Sequence, residues 1–252
     1  MIHPPEIHAL FDLTGKVALV TGGSRGLGRE MALAFAHAGA DVIVSSRKAD
    51  ACEAVAGVVR ARGRRAAAMP AHAGRWSEMD ALADRAWAEF GRVDILVANA
   101  GMGPLVPSHE VSEALFDSVV GLNFKGPFRL MANLAHRMAE GEGGTILATS
   151  SIASLQPTPQ VVPYAGAKAA LNATVISLAH EYGPKVRVNA IAAGPFLTDI
   201  SKAWSEEARE SAPNALGRPG RPEEIVTTAL WLASPASGFV TGTVVRCDGG
   251  MR

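Results

Sequence analysis

The sequence predicts a single α/β domain, doubly wound, in which a mostly parallel seven-stranded sheet carries helices on both faces. Three observations predict it. Short apolar runs alternate with helix-period segments from end to end of the chain. The connections are short, with no linker, repeat or low-complexity tract. A length of 252 residues allows one large core or two small ones, and the unbroken alternation selects one.

The elements follow in order. KVALVTG (16–22) is β-branched and closed by glycine, a buried strand. Leu27, Met31, Ala34, Phe35 and Ala38 then recur at helical spacing until Gly39 stops the helix. DVIVSS (41–46) is a second strand. Residues 50–62 read as a helix ended by Gly63, and RAAAMP (65–70) as a weaker strand. Ser77 is the expected cap of the next helix, which buries Met79, Leu82, Ala83, Ala86 and Phe90. VDILVANAG (93–101) is a strand running into a turn. A long helix over about 112–140 precedes the strand GTILATSS (144–151). Pro163 opens the next helix, at a favoured first position. KVRVNAIA (185–192) is a strand, 198–212 an amphipathic helix, and RPEEIVTTALWLAS (221–234) a helix with two carboxylates in its first turn. GTVVRCD (242–248) is the last strand.

Composition excludes several classes. Lys plus Arg equals Asp plus Glu at 24 each, so the chain lacks the basic excess of a nucleic-acid binder. No apolar run reaches the roughly 18 residues of a membrane span. The start, MIHPPEIHALFDLTGK, does not read as a secretory signal. Cys52 and Cys247 are the only cysteines, which excludes a disulfide framework and suits two free thiols in a reducing cytoplasm. The histidines show no metal-ligand spacing, and no metal is expected.

TGGSRGLG (21–28) follows the first strand and opens the first helix. Glycine permits the turn and lets backbone approach a pyrophosphate, while the helix N-terminus offers free N–H groups. Gly22, Ser24, Arg25, Gly26, Leu27 and Gly28 are therefore the candidate phosphate cradle. A site for NAD usually has a carboxylate at the end of the second strand. Here that end reads Ser45, Ser46, Arg47, Lys48. Arginine attracts a 2′-phosphate that a carboxylate would repel, so Ser46 and Arg47, with Arg25 as a second charge, predict NADP(H) over NAD(H). A merely solvated Arg47 is the plain alternative.

Tyr164 and Lys168 stand four apart on a helix, hence on one face, with only Ala165, Gly166 and Ala167 between them. Bringing a phenol from its ordinary pKa near 10 to near 7 takes about 4 kcal/mol. One ammonium about 4 Å away, at an effective dielectric near 20, supplies on the order of 4 kcal/mol. The expectation is that Lys168 makes Tyr164 acidic.

With these motifs in view, the chain resembles the short-chain dehydrogenase/reductase family, in its single-domain branch of about 250 residues, over residues 11–251. The resemblance rests on the glycine motif, NAG (99–101), GLNFKGPF (121–128), SS (150–151), Tyr164-x3-Lys168, AGPFLT (193–198) and DGG (248–250). It implies a Rossmann-like fold, a nicotinamide cofactor, a homotetramer, and a catalytic tetrad of Asn123, Ser151, Tyr164 and Lys168. Tyr164 would be the general acid/base, and Ser151 would stabilise the oxyanion. Asn123 lies inside a helix four residues before Pro127, which has no N–H, so the helix should kink there; the resemblance implies a proton-relaying water in the gap. Asn99 and Gly101 are expected beside the cofactor, with Tyr164 and Lys168, and Thr198 at the nicotinamide carboxamide. Where the family more often has Pro-Gly, this chain has Ala193-Gly194.

The substrate pocket is expected from 102–107, 152–162 and a covering segment, 196–217. Met102, Leu105, Leu155, Gln156, Val161, Phe196, Trp204 and Leu216 make it mostly apolar. The implied function is an NADP(H)-dependent oxidoreductase interconverting a ketone or aldehyde and an alcohol. The substrate is left open between a 3-oxoacyl-type and a sugar-acid-type carbonyl compound. Arg129 is a weak candidate for docking an acidic carrier protein. The alternative is a non-catalytic dinucleotide-binding regulator on the same fold.

Overall fold

β-Branched side chains are stiff at χ1 and pack well on a pleated surface, and the runs that carry them form the sheet. A computed structural model describes residues 6–199, 201 and 204–252. β1 (Val17–Thr21) and β2 (Asp41–Ser45) are buried throughout, and β3 (Ala66–Ala68) is a short half-buried edge. β4 (Ile95–Ala98), β5 (Gly144–Ser151), β6 (Val186–Ala193) and β7 (Val244–Cys247) complete the sheet. Every pairing is parallel, in the order β3-β2-β1-β4-β5-β6-β7. The chain works outward from β1 to β3, then returns to lay β4 against the other side of β1. A crevice therefore opens beyond the carboxyl ends of β1 and β4, where such sheets bind ligands.

Alternate residues of β1 serve two cores. Val17 and Leu19 face one, with α3 (Trp76–Phe90), α5 (Gly126–Glu140) and α6 (Val162–Tyr182). Ala18 and Val20 face the other, with α1 (Gly26–His37), α2 (Ala49–Ala61) and α8 (Val226–Ala233). This is the doubly wound arrangement, and the sheet is wholly rather than mostly parallel.

Some local expectations change. Ser77 does not cap α3. The helix starts at Trp76, and the Glu78 carboxylate instead accepts from the His72 N–H at 2.6 Å and from Arg75 Nη1 at 2.9 Å. The helix expected over 198–212 is reduced to α7 (Glu206–Glu210), capped by the Ser205 hydroxyl; Ile200, Lys202 and Ala203 lie outside the described residues. The segment 221–234 opens with a 3-10 turn, Pro222–Ile225, before α8.

The long helix over 112–140 is α4 (Glu113–Val120), a π-helical turn (Gly121–Lys125) and α5. In the π turn the Gly126 N–H reaches back five residues to the Gly121 carbonyl. Pro127 offers no donor for the ordinary register. The turn also lies against the 73–74 loop: a Cβ on Gly126 would stand 1.7 Å from the Ala73 carbonyl oxygen.

Gly126→Ala should therefore destabilise the protein by more than about 2 kcal/mol, the scale of an overpacked site. Gly57→Ala, inside α2 where an added Cβ meets nothing within 4 Å, should stabilise it by about 0.5–1 kcal/mol. Urea unfolding of the two variants measures both signs.

Candidate active site

The glycine loop closes on the crevice by backbone contact. Gly22 has φ +63°, and a Cβ on Gly28 would lie 2.4 Å from the Gly22 carbonyl oxygen, so neither position admits a side chain. α1 begins at Gly26 with no side-chain cap at Arg25, which leaves its first N–H groups free of side-chain acceptors. Leu27 is half-buried against the α1 core. Thr198 lies over the loop, its Cβ 3.5 Å from the position a Gly26 Cβ would take.

Asn99, expected beside a cofactor, holds the crevice itself together. Its Nδ2 donates to the Thr21 carbonyl at 3.0 Å, and its Oδ1 accepts from Thr149 Oγ1 at 3.2 Å. Thr21 returns the contact: its Oγ1 accepts from the Asn99 N–H at 3.0 Å. Loop, β4 and β5 are thereby one unit. Thr21 and Thr149 were missed by sequence reasoning, although each adjoins a motif residue.

At the second strand end, Arg47 is exposed and, among the described residues, makes no ion pair or hydrogen bond. The Ser46 hydroxyl is turned away, 3.1 Å from Cys52 Sγ. Arg25 is not free: its Nη1 lies 2.9 Å from Asp199 Oδ2, tying the glycine loop to the segment after β6. Arg129 is likewise engaged, with Asp80 at 2.6 Å and over the Trp76 ring.

The tetrad residues converge. Asn123, fully buried in the π turn, donates through Nδ2 to the Met102 carbonyl at 2.8 Å and the Val119 carbonyl at 2.9 Å, and accepts from the Met102 N–H. A Cβ on Gly101 would stand 2.8 Å from Asn123 Oδ1 and 3.6 Å from Lys168 Nζ, which locates both side chains at the end of β4. Ser151 closes β5; its Oγ accepts from the Ala153 N–H at 3.2 Å, leaving the hydroxyl proton available. Gly103 faces the Tyr164 ring. Lys168, 2% exposed, donates from Nζ to the Thr149 carbonyl at 2.6 Å.

The electrostatics depart from the sequence expectation. Lys168 Nζ lies 5.8 Å from the centre of the Tyr164 ring. Burial raises the Tyr164 pKa above its ordinary value, and the polar contact with Ser151 lowers it by less. Burial also brings the Lys168 ammonium down to about 8. Desolvation thus outweighs the Ser151 contact, and the protein's own residues keep the phenol protonated at neutral pH.

One residue expected to line the pocket lies elsewhere. Phe196 is a core residue, buried in the α1 and α8 cluster against Gly220. Leu105, Leu155 and Leu216 are exposed. Met102, Gln156, Val161 and Trp204 are half-buried. Among the described residues no cluster of His, Cys, Asp or Glu could hold a metal ion. No described helix is long and apolar enough to cross a membrane.

Comparison with known proteins agrees with this architecture. A family model described as enoyl-(acyl carrier protein) reductase matches residues 22–252. The chain is 37% identical over 242 residues, 94% of each chain, to 7α-hydroxysteroid dehydrogenase of Escherichia coli (strain K12). A 7α-hydroxysteroid dehydrogenase complexed with NADH and 7-oxo glycochenodeoxycholic acid superposes with TM-score 0.90 at 36% identity over 96% of both chains. A 3-oxoacyl (acyl-carrier-protein) reductase from Agrobacterium tumefaciens C58 with NADP bound gives TM-score 0.92 at 32% identity over 98% of both chains.

A lysine whose folded pKa is depressed from 10.5 to about 8 releases its proton earlier folded than unfolded, so stability should rise with pH between 8 and 10. The whole effect is on the order of 3 kcal/mol. Denaturant titrations across that window should show the slope, and Lys168→Met should lose it while being more stable than the wild type at pH 7.

Proposed function

This chain belongs to the short-chain dehydrogenase/reductase family of oxidoreductases, and we propose that it is an NADP(H)-dependent enzyme interconverting a ketone or aldehyde and the alcohol, with Tyr164 as general acid/base. The observation that carries the reading is the convergence of Asn123, Ser151, Tyr164 and Lys168 at the ends of β4 and β5, beside a glycine loop shaped for a pyrophosphate.

The residues present fit a dinucleotide. Gly22, Ser24, Arg25, Gly26, Leu27 and Gly28 form a cradle that a Cβ would fill, with uncapped N–H groups of α1 behind it. Gly101, beside Asn123 and Lys168, would line the same crevice, and Thr198, over the glycine loop, would hold the nicotinamide carboxamide. Tyr164 and Lys168 would contact the ribose side. When bound, the dinucleotide supplies or accepts the hydride. Tyr164, protonated at neutral pH, gives its proton to the substrate carbonyl oxygen in the reductive direction. The Ser151 hydroxyl donates to the same oxygen and stabilises the developing alkoxide. Lys168, with a pKa of about 8, is still mainly cationic at pH 7 and stabilises the phenolate left behind. Asn123 holds the π turn against Met102, and we assign its backbone carbonyl the holding of a water that would relay protons toward Lys168.

The relatives carry NADH in one case and NADP in another, so the preference for NADP(H) rests on this chain's own Arg47, exposed and unpaired among the described residues, where a ribose-binding carboxylate would stand. Arg25, held by Asp199, is the second charge only if that pair opens. Exposed Leu105, Leu155 and Val162, in or beside the segments expected to line the pocket, support a carbonyl compound with an apolar flank, of the 3-oxoacyl type rather than a sugar acid, under a cover formed by 196–217. Exposed Phe116, Ile176 and Phe239 are surfaces a homotetramer would bury, and the two free cysteines suit a reducing cytoplasm.

NADPH oxidation against a panel of carbonyl compounds tests the activity. Tyr164→Phe should lower turnover by roughly 10²–10⁴-fold, the worth of a positioned acid; undiminished turnover would remove the assignment. In the wild type, kcat/KM for reduction should fall as pH rises through about 8, where Lys168 loses its charge. Arg47→Ala should weaken NADPH binding by about tenfold or more and leave NADH unchanged; equal loss for both would remove the case for NADP(H).

A further inference from the structure

The tetrad does not account for one buried amide on the same helix. Asn172 follows Lys168 by four residues and Tyr164 by eight, so all three lie on one face of α6. Asn172 is 8% exposed, and among the described residues its Oδ1 has no hydrogen-bond partner. Its Nδ2 donates to Ser154 Oγ at 2.8 Å. Ser154, in the 3-10 turn Ile152–Ser154, donates to the Ser151 carbonyl at 2.5 Å, and Ser150 Oγ lies 3.2 Å from Ser154 Oγ.

Proton accounting orders this network. A serine hydroxyl has one proton and two acceptor sites. Ser154 gives its proton to the Ser151 carbonyl, so it can only accept from the other two neighbours. Asn172 must therefore present its NH₂ group, and Ser150 must donate. Ser154 is then fully used, and the Asn172 Oδ1 is left over for the same reason. The turn that follows β5 is bolted to α6 one helical turn beyond Lys168. That turn also carries the Ala153 N–H, which donates to Ser151 Oγ at 3.2 Å and so sets the direction of the Ser151 hydroxyl.

We propose that Asn172 and Ser154 are positioning residues that aim the Ser151 hydroxyl at the Tyr164 phenol and the substrate oxygen. The proposal rests on the reading of Tyr164 as the general acid/base. A half-satisfied buried amide is a poor way to stabilise a core, since an apolar side chain of similar volume would leave no orphan oxygen. Its use here is directional. The Ser151 contact lowers the Tyr164 pKa, so losing the aim should make the phenol harder to ionise.

The experiment compares wild type, Asn172→Leu, Ser154→Ala, the double variant and Tyr164→Phe, by thermal unfolding and by the pH profile of alcohol oxidation. Asn172→Leu should keep or raise Tm. It should lower kcat on the order of tenfold, less than the roughly 10²–10³ of a lost oxyanion donor. KM for the dinucleotide should hold, and the acid limb of the profile should move to higher pH. Ser154→Ala should do the same, and the double variant should be no worse than either single one, because one chain of bonds is being cut. Unchanged kcat in Asn172→Leu, or a fall in kcat with the acid limb unmoved, would overturn the proposal. If Asn172→Leu does not fold, Ser154→Ala decides alone by the same criteria. Active Tyr164→Phe would sink the underlying reading instead, a result distinct from an inactive Tyr164→Phe beside an unaffected Asn172→Leu.

Discussion

An ammonium taken almost completely out of water is the constraint on which the rest of this structure depends. Lys168 is buried on α6 and, among the described residues, held by one backbone carbonyl, that of Thr149 on β5. Burying a cation with a single neutral acceptor is unfavourable, and the depressed pKa is the measure of it. The fold tolerates this because α6 is clamped to the turn at the carboxyl end of β5 by the hydrogen bonds of Asn172 and Ser154. Function would draw on the same feature: a desolvated cation exerts its field over several ångströms, whereas an exposed one is screened.

The crevice in front of that lysine is made largely of backbone. Where β1 and β4 diverge, glycine lets the loop fold back to within van der Waals distance of itself, and Asn99 stitches it to β5. The π turn does similar work from the other side, carrying Asn123 inward to grip Met102 beneath Gly101. Ligand-facing groups are thus positioned by strand ends and helix starts rather than by long flexible side chains, a rigid basis for chemistry that needs sub-ångström placement.

Much of this was legible in the sequence, and the failures have a common cause. Strands and most helices announced themselves by period and by glycine stops, as at Gly39 and Gly63, and the π turn was foreshadowed by Asn123 and Pro127. What one-dimensional reading missed were partners far apart in the chain. Arg25 reads as a free charge until Asp199 returns to it. Phe196 reads as pocket until Gly220 is seen beneath it. Ser77 reads as a cap, yet Glu78 reaches His72 first. The largest miss was energetic: four-residue spacing correctly put Lys168 and Tyr164 on one face, but it carries no information about desolvation, and desolvation reverses the expected shift of the phenol.

The account turns on when the Tyr164 proton becomes mobile. The chain has two tyrosines, Tyr164 and Tyr182, so Tyr182→Phe leaves one phenol whose ionisation can be followed by ultraviolet absorbance as pH is raised. The account predicts a midpoint above the ordinary value near 10 in the protein alone, falling when the oxidised, positively charged dinucleotide is added. A midpoint that stays where it was after the dinucleotide binds would contradict it.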